Sequence, residues 1–141
     1  MLVSNTPDGF FFQAFWLAAR VIVGALMIPN GFDKLADVQG FADNVVSNYI
    51  GLPYPVFFTY CAAYIEIISP ILIMLGLLTR LNAIALISTM GVAIFFHIKA
   101  DGLTIHPLET ASLYAAVYTF FLVCGSGQWS LDTLMTRKST S

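Results

Sequence analysis

At 141 residues the chain suits one compact unit, and with 58% hydrophobic residues, only 10% charged residues and a mean hydropathy of +0.82 it lies outside the soluble range, where about a quarter of residues are charged. A formal charge of −2 with no basic run excludes a surface for nucleic acid. Cys61 and Cys124 stand alone in separate apolar runs, which excludes a CxxC redox motif and a Cys/His zinc pattern and leaves both as small apolar side chains.

The opening MLVSNTPDGFFFQ lacks the positive start of a signal peptide, and Arg20 would not sit in a signal core. The apolar run is therefore expected to be retained as helix 1, residues 10–30, punctuated by Asn30-Gly31. Residues 38–50 place Phe41, Val45, Val46, Tyr49 and Ile50 on one side at helical spacing, which predicts a short helix lying in the membrane interface. Helix 2 is expected over 56–78, a run of about 22 apolar residues, enough at ~1.5 Å per residue to cross a hydrocarbon core of ~30 Å. Helix 3 follows a tight turn at Thr79-Arg80 and covers 81–97; helix 4 begins after Pro107 and covers 108–124. In GSGQWSLD, Gly125 and Gly127 are expected to end helix 4 at positive φ, and Ser130 and Asp132 to cap a short helix, 131–135. The segment is expected to fasten the bundle end near Arg80, with residues 133–141 a disordered polar tail.

The fold class is thus all-α: an integral membrane four-helix bundle, a single transmembrane domain over 1–141 embedded in a lipid bilayer, with a short interfacial helix between helices 1 and 2. Four crossings place both termini on one side. Arg80, Arg137 and Lys138 fall on that side, against Lys34 and Lys99 on the other, so the positive-inside rule assigns the termini to the cytoplasm.

Two ionisable side chains interrupt the spans. Glu66 lies near the middle of helix 2, four residues before Pro70, whose missing N–H leaves the Glu66 carbonyl without its helical donor. Arg20 lies ten residues before Asn30, and Glu66 ten residues after Val56. In antiparallel helices these depths match, and burial of opposite charges predicts an ion pair between Arg20 and Glu66. Glu66 shares its face with Thr59, Ala62, Ala63, Ser69, Pro70 and Ile73; Arg20 shares its face with Gln13, Leu17, Gly24, Met27 and Gly31. Such small and polar faces let membrane helices approach closely. The pair reads either as a fixed register device or as a proton or ligand site.

The second constellation is a rim on the loop-rich side: Asp33, Lys34, His97, His106 and Glu109. Lys34, His97, His106 and Glu109 are candidates for ligand binding or proton relay to a quinone head group. His97, His106 and Glu109 are weaker candidates for holding a metal or a haem. Glu109, one turn into helix 4, is expected to face inward beside His97. Tyr60/Tyr64 and Tyr114/Tyr118 are i,i+4 pairs that read first as packing or belt residues and second as walls of a quinone pocket.

Several ordered pieces carry a resemblance: AARVIVGALMIPNGFDKL with Arg20, Gly31 and Lys34; GLPYP; EIISPILIMLGLLTRLNAIAL with Glu66, Gly76, Thr79 and Arg80; His97; Glu109; and GSGQWSLD. Across residues 15–132 the chain resembles the DoxX family of small four-helix membrane proteins. The resemblance implies four transmembrane helices in the cytoplasmic (inner) membrane of a bacterium or archaeon. Some relatives look like the membrane subunit of a thiosulfate:quinone oxidoreductase. Others accompany a membrane complex handling oxidative stress, or clusters making modified copper-binding peptides. Distant eukaryotic relatives act as cargo receptors or receptor-assembly chaperones. The functional expectation is a subunit of a quinone-linked redox complex, with a protein partner or a homo-oligomer. The alternatives are a non-catalytic scaffold or chaperone, and a proton-coupled carrier switched by Glu66.

Overall fold

The computed structural model describes residues 4–139, and all its regular structure is helical: α1 Phe10–Ala36, α2 Val38–Phe41, a wider helical segment Ala42–Ile50, α3 Pro55–Leu75, α4 Thr79–Asp101, α5 Ile105–Cys124 and α6 Leu131–Ser139. Four of these, α1, α3, α4 and α5, are long and apolar enough to cross a membrane. They run up and down, so that α1 starts and α5 ends on one face of the bundle. Asn5 N–H donates to the Cys124 carbonyl at 2.8 Å there. We call this the terminal face, and the opposite end the loop face.

Two tight helix pairs, α1 with α3 and α4 with α5, are joined chiefly through α3 and α4. The α1–α3 contact rests on glycine. A Cβ on Gly31 would meet Ile67 Cγ1 at 2.5 Å and the Ala63 carbonyl at 2.7 Å, and one on Gly24 would lie 3.0 Å from the Pro70 carbonyl. In a bilayer, where no hydrophobic force drives helices together, such close approach supplies the packing energy. Gly31→Ala is therefore expected to cost about 1–3 kcal/mol by overpacking. Gly91→Ala, where nothing lies within 4 Å of the added carbon, leaves stability unchanged or raises it by up to ~1 kcal/mol; denaturant titration of the two variants in micelles compares them.

The core between the pairs holds Met27, Ile73, Leu86, Tyr118 and Phe121, with Trp16 edge-on to Phe121 at 5.2 Å. At the terminal face α3 ends on Gly76 at φ 70°, with Gly76 N–H to Ile73 O at 2.9 Å and Leu77 N–H to Leu72 O at 2.8 Å. Leu78 follows at φ 49°, an unfavourable value for a side chain with a Cβ. Asp132 holds it there: its carboxylate accepts from Leu78 N–H at 2.7 Å and Thr79 N–H at 3.2 Å, capping α4.

The element boundaries depart from expectation in instructive ways. Helix 1 does not stop at Asn30-Gly31 but runs to Ala36. Gly31 is a contact glycine buried against α3, and Asn30 Nδ2 donates back to the Leu26 and Met27 carbonyls at 3.3 and 3.4 Å, within the helix. Residues 133–139, expected to be disordered, are helical; Ser130 Oγ accepts from Thr133 N–H at 3.3 Å as the cap of α6. The last two residues of that expected tail, 140 and 141, lie outside the described residues. Asp132, expected to cap α6, caps α4 instead. Gly125 and Gly127 do take positive φ, 82° and 81°.

The stretch expected to form a short helix between helices 1 and 2 is helical. Asp37 caps it through Gly40 N–H at 2.9 Å. From Ala42 it widens to i→i+5 turns, closing with Gly51 N–H to Val46 O at 2.8 Å. Ala42 and Val46 are buried, and Tyr49 packs edge-on to Phe96 at 5.3 Å. The apolar side of this segment therefore packs against the loop-side ends of α3 and α4.

Candidate functional site

The ion pair expected between Arg20 and Glu66 does not form. Glu66, 2% exposed, accepts instead from Lys34, with Nζ and Oε2 2.5 Å apart. The error is one of axial offset. Gly31 lies against Ala63 and Ile67, and Gly24 against Pro70 and Met74; the level of Glu66 on α3 is therefore that of Asn30 on α1. Arg20 lies ten residues further along, roughly 15 Å at 1.5 Å per residue. Because α1 continues past Asn30, Lys34 remains helical and reaches back one turn to the carboxylate. It also donates to Asn30 O at 3.3 Å, and its ammonium lies over the Phe41 ring, 5.2 Å from the centroid. These contacts desolvate the lysine on its partner's side only; its side chain keeps 17% exposure.

Arg20 has another task. It is 1% exposed and packs beside Gly76, where its Nη1 donates to Ser126 O and its Nη2 to Trp129 O, each at 2.6 Å. Neighbouring α1 residues complete the same lock: Trp16 Nε1 donates to Gly125 O at 3.1 Å, and Gln13 Oε1 accepts from Gln128 N–H at 2.7 Å. Thus α1 holds the GSGQW turn by its carbonyls and amides. The turn in turn presents Asp132 to the start of α4, and Asp132 N–H donates to Gly76 O at 2.9 Å. Arg80 adds a bond from Nη2 to Val123 O at 3.1 Å. This fastening was expected near Arg80; its principal donor is Arg20.

Above the Lys34–Glu66 pair a cavity of about 450 Å³ opens between the two helix pairs. Val45, Val46 and Ile50 of the widened segment and Leu52 roof it. Cys61, Ala62 and Ile65 of α3 form one wall, with Ala85, Thr89 and Ala93 of α4 beside them. Ala111 and Tyr114 of α5 and Met27 of α1 close the remainder. Its polar lining residues are Lys34, Glu66, Asn30, Ser88, Thr89, His97, Thr110 and Tyr114. A concave, mostly apolar space with a small set of polar groups is the usual form of a small-molecule site.

Of the rim residues, Lys34 and His97 line the cavity, whereas His106 and Glu109 do not and are exposed. Glu109 was expected to face inward beside His97. It instead points away from the bundle, because α5 starts at Ile105, three residues earlier than expected, and the inward stripe of α5 runs through Ala111, Tyr118 and Phe121. His97 Nδ1 lies 3.6 Å from Asp101, one turn along its own helix. The set His97, His106 and Glu109 is not brought together, and no group of three His, Cys, Asp or Glu side chains placed to hold a metal occurs among the described residues. Tyr60 and Tyr64 stack at 6.2 Å on the exposed side of α3; Tyr114 and Tyr118 stack at 6.0 Å, carrying the cavity wall into the core.

Sequence reasoning missed the cavity, its roof and the role of Asp132. One signal was present: Gly24 and Gly31, seven residues apart on one face of α1, mark where a neighbouring helix can touch.

Residues 15–98 match the DoxX family model, a span that covers most of α1, all of α3 and the roof, and nearly all of α4. The chain is similar to an uncharacterized protein of Haemophilus influenzae, 30% identical over 133 residues, covering 91% of this chain and 93% of the relative. It is also similar to an uncharacterized membrane protein of Mycobacterium tuberculosis, 26% identical over 137 residues, covering 89% of this chain and 83% of the relative. No solved structure matches.

Proposed function

The chain belongs to the DoxX family, and from that premise we propose that it is the quinone-binding membrane subunit of a redox complex. We place it in a bacterial cytoplasmic membrane with the terminal face inward. The observation that carries the reading is the cavity: apolar walls sized for one ring, with a buried lysine–glutamate pair at one end. A quinone offers two carbonyl acceptors on an otherwise apolar ring. The Lys34 ammonium is a strong donor for one of them, and Tyr114 and His97 supply further polar contacts on the facing wall. Reduction of a quinone takes up two electrons and two protons; the electrons come from a partner protein of the complex. The protons need a carrier next to the ring, and Glu66 beside Lys34 is the group in place to hand one on. Arg80, Arg137 and Lys138 at the terminal face support the orientation.

The test is direct binding. The protein, reconstituted in lipid nanodiscs, is titrated with a short-tailed benzoquinone, and empty nanodiscs are subtracted for partition into lipid. One saturable site per chain is expected, lost in a Lys34→Met/Glu66→Leu double variant that keeps the fold. Absence of saturable binding refutes the reading. A chain that binds no quinone but copurifies with one protein at fixed ratio points to the scaffold alternative.

A further inference from the structure

The cavity has two kinds of mouth. Phe58, Ser88 and Val92 line it and are also exposed, Phe58 at 37% and Val92 at 44%, so the cavity reaches the outside between α3 and α4. Asn30 and Thr110 do the same between α1 and α5. The two mouths differ in chemistry. Asn30, level with Glu66, and Thr110, five residues from the start of α5, flank the α1–α5 mouth. Lys34 stands close by, and this mouth is polar. Ser88 lies ten residues after Leu78 as Glu66 lies ten before Gly76, so the other mouth also opens at the level of the Lys34–Glu66 pair. Cys61, Ile65 and Ala85 continue that slit, which is apolar apart from the Ser88 hydroxyl, itself bonded to Ile84 O. It has a simple origin: α3 and α4 are tied by the tight Gly76–Leu78 turn at the terminal face and separate toward the loop face, where the widened segment bridges them.

Volume decides what the slit is for. At about 450 Å³ the cavity is toward the small end of ligand sites, which span roughly 300–1,000 Å³. It holds a ring and a few chain carbons, not a long lipid tail. A ligand whose ring meets Lys34 must send its tail out through one mouth, and only the α3–α4 slit is apolar. Resting on the quinone reading above, we propose that the site takes a membrane quinone with a long isoprenoid tail, which enters sideways from the bilayer and leaves its tail lodged between α3 and α4 at Phe58, Ser88 and Val92.

Two measurements in nanodiscs test this. The first compares a long-tailed quinone with its tail-less ring. Ser88→Trp plugs the slit at a position whose side chain bonds only its own helix, through Ile84 O; Leu113→Trp, on the exposed side of α5, is the control. Ser88→Trp is expected to weaken the long-tailed quinone at least tenfold and the tail-less ring less than twofold, while Leu113→Trp changes neither. The second uses the unmodified chain and a quinone carrying a photoreactive tail end. Its label is expected on residues 58–65 and 85–92, and to fall away when unlabelled quinone competes. Label on residues 30–34 and 107–114, or equal weakening of both ligands, overturns the lateral route while leaving the quinone site standing. Failure of the unmodified chain to bind either ligand removes the site and the route together.

Discussion

Lys34→Met is expected to lower the unfolding free energy by about 3–5 kcal/mol, the largest effect of any single substitution at the cavity. The cause is what it leaves behind. Glu66 is 2% exposed and its recorded partner is the lysine; without Lys34 a carboxylate stands inside the bundle with no counter-charge, and a membrane interior offers no water to replace it. Removing both charges should behave differently. Lys34→Met/Glu66→Leu fills the same space with apolar atoms, so its stability should return to within about 1 kcal/mol of the parent, since buried pairs are often matched or bettered by hydrophobic replacements. Reversible unfolding in mixed micelles reads both variants. Equal destabilisation of the single and double variants would mean that the pair is not the reason. If stability returns while quinone binding stays lost, the two charges are retained for the ligand rather than for the fold.

Arg20→Met is the second large effect, at about 3–5 kcal/mol, and its origin is different. The guanidinium satisfies the carbonyls of Ser126 and Trp129, each at 2.6 Å. Hydrogen bonds from a charged donor contribute about 1.5–3 kcal/mol each, and orphaned buried carbonyls add their desolvation cost. Arg20→Lys should fall between the parent and Arg20→Met, because one ammonium cannot reproduce a planar fork gripping two carbonyls. The loss should be local first. The GSGQW turn loosens, Asp132 no longer holds Leu78 and Thr79, and limited proteolysis in micelles should cut within 125–130 well before the spans unfold. Combining Arg20→Met with the charge-free Lys34→Met/Glu66→Leu pair should be additive within about 0.5 kcal/mol, as for sites more than 7–10 Å apart. Strong coupling between them would restore the Arg20–Glu66 pairing that the structure replaces.

These two sites divide the bundle by task. The terminal face is fastened by backbone acceptors around Arg20, Gln13 and Trp16, with Asp132 fixing the strained turn between α3 and α4. The loop-side half is looser: the helix pairs separate, a widened helical segment roofs the gap, and the buried Lys34–Glu66 pair sits below.

The sequence by itself determined the number of apolar spans, their all-helical character and the rotation of α1 and α3, though not that of α5 at Glu109. Of the α3 face read from periodicity, Thr59, Ala63, Glu66, Ser69, Pro70 and Ile73 are buried and Ala62 half-buried; of the α1 stripe, Gln13, Arg20, Gly24, Met27 and Gly31 are buried and Leu17 half-buried. Only the tertiary structure decided which charge meets which. A repeat of 3.6 residues fixes the angle at which a side chain leaves its helix but carries no information on how far one helix slides past another. That offset is set by where Gly24 and Gly31 let α1 sink onto α3. A shift of ten residues there moved Glu66 from Arg20 to Lys34 and freed Arg20 to hold the chain's last turn. The cavity is a product of the same packing, because an empty space belongs to several helices at once and leaves no mark on any of them.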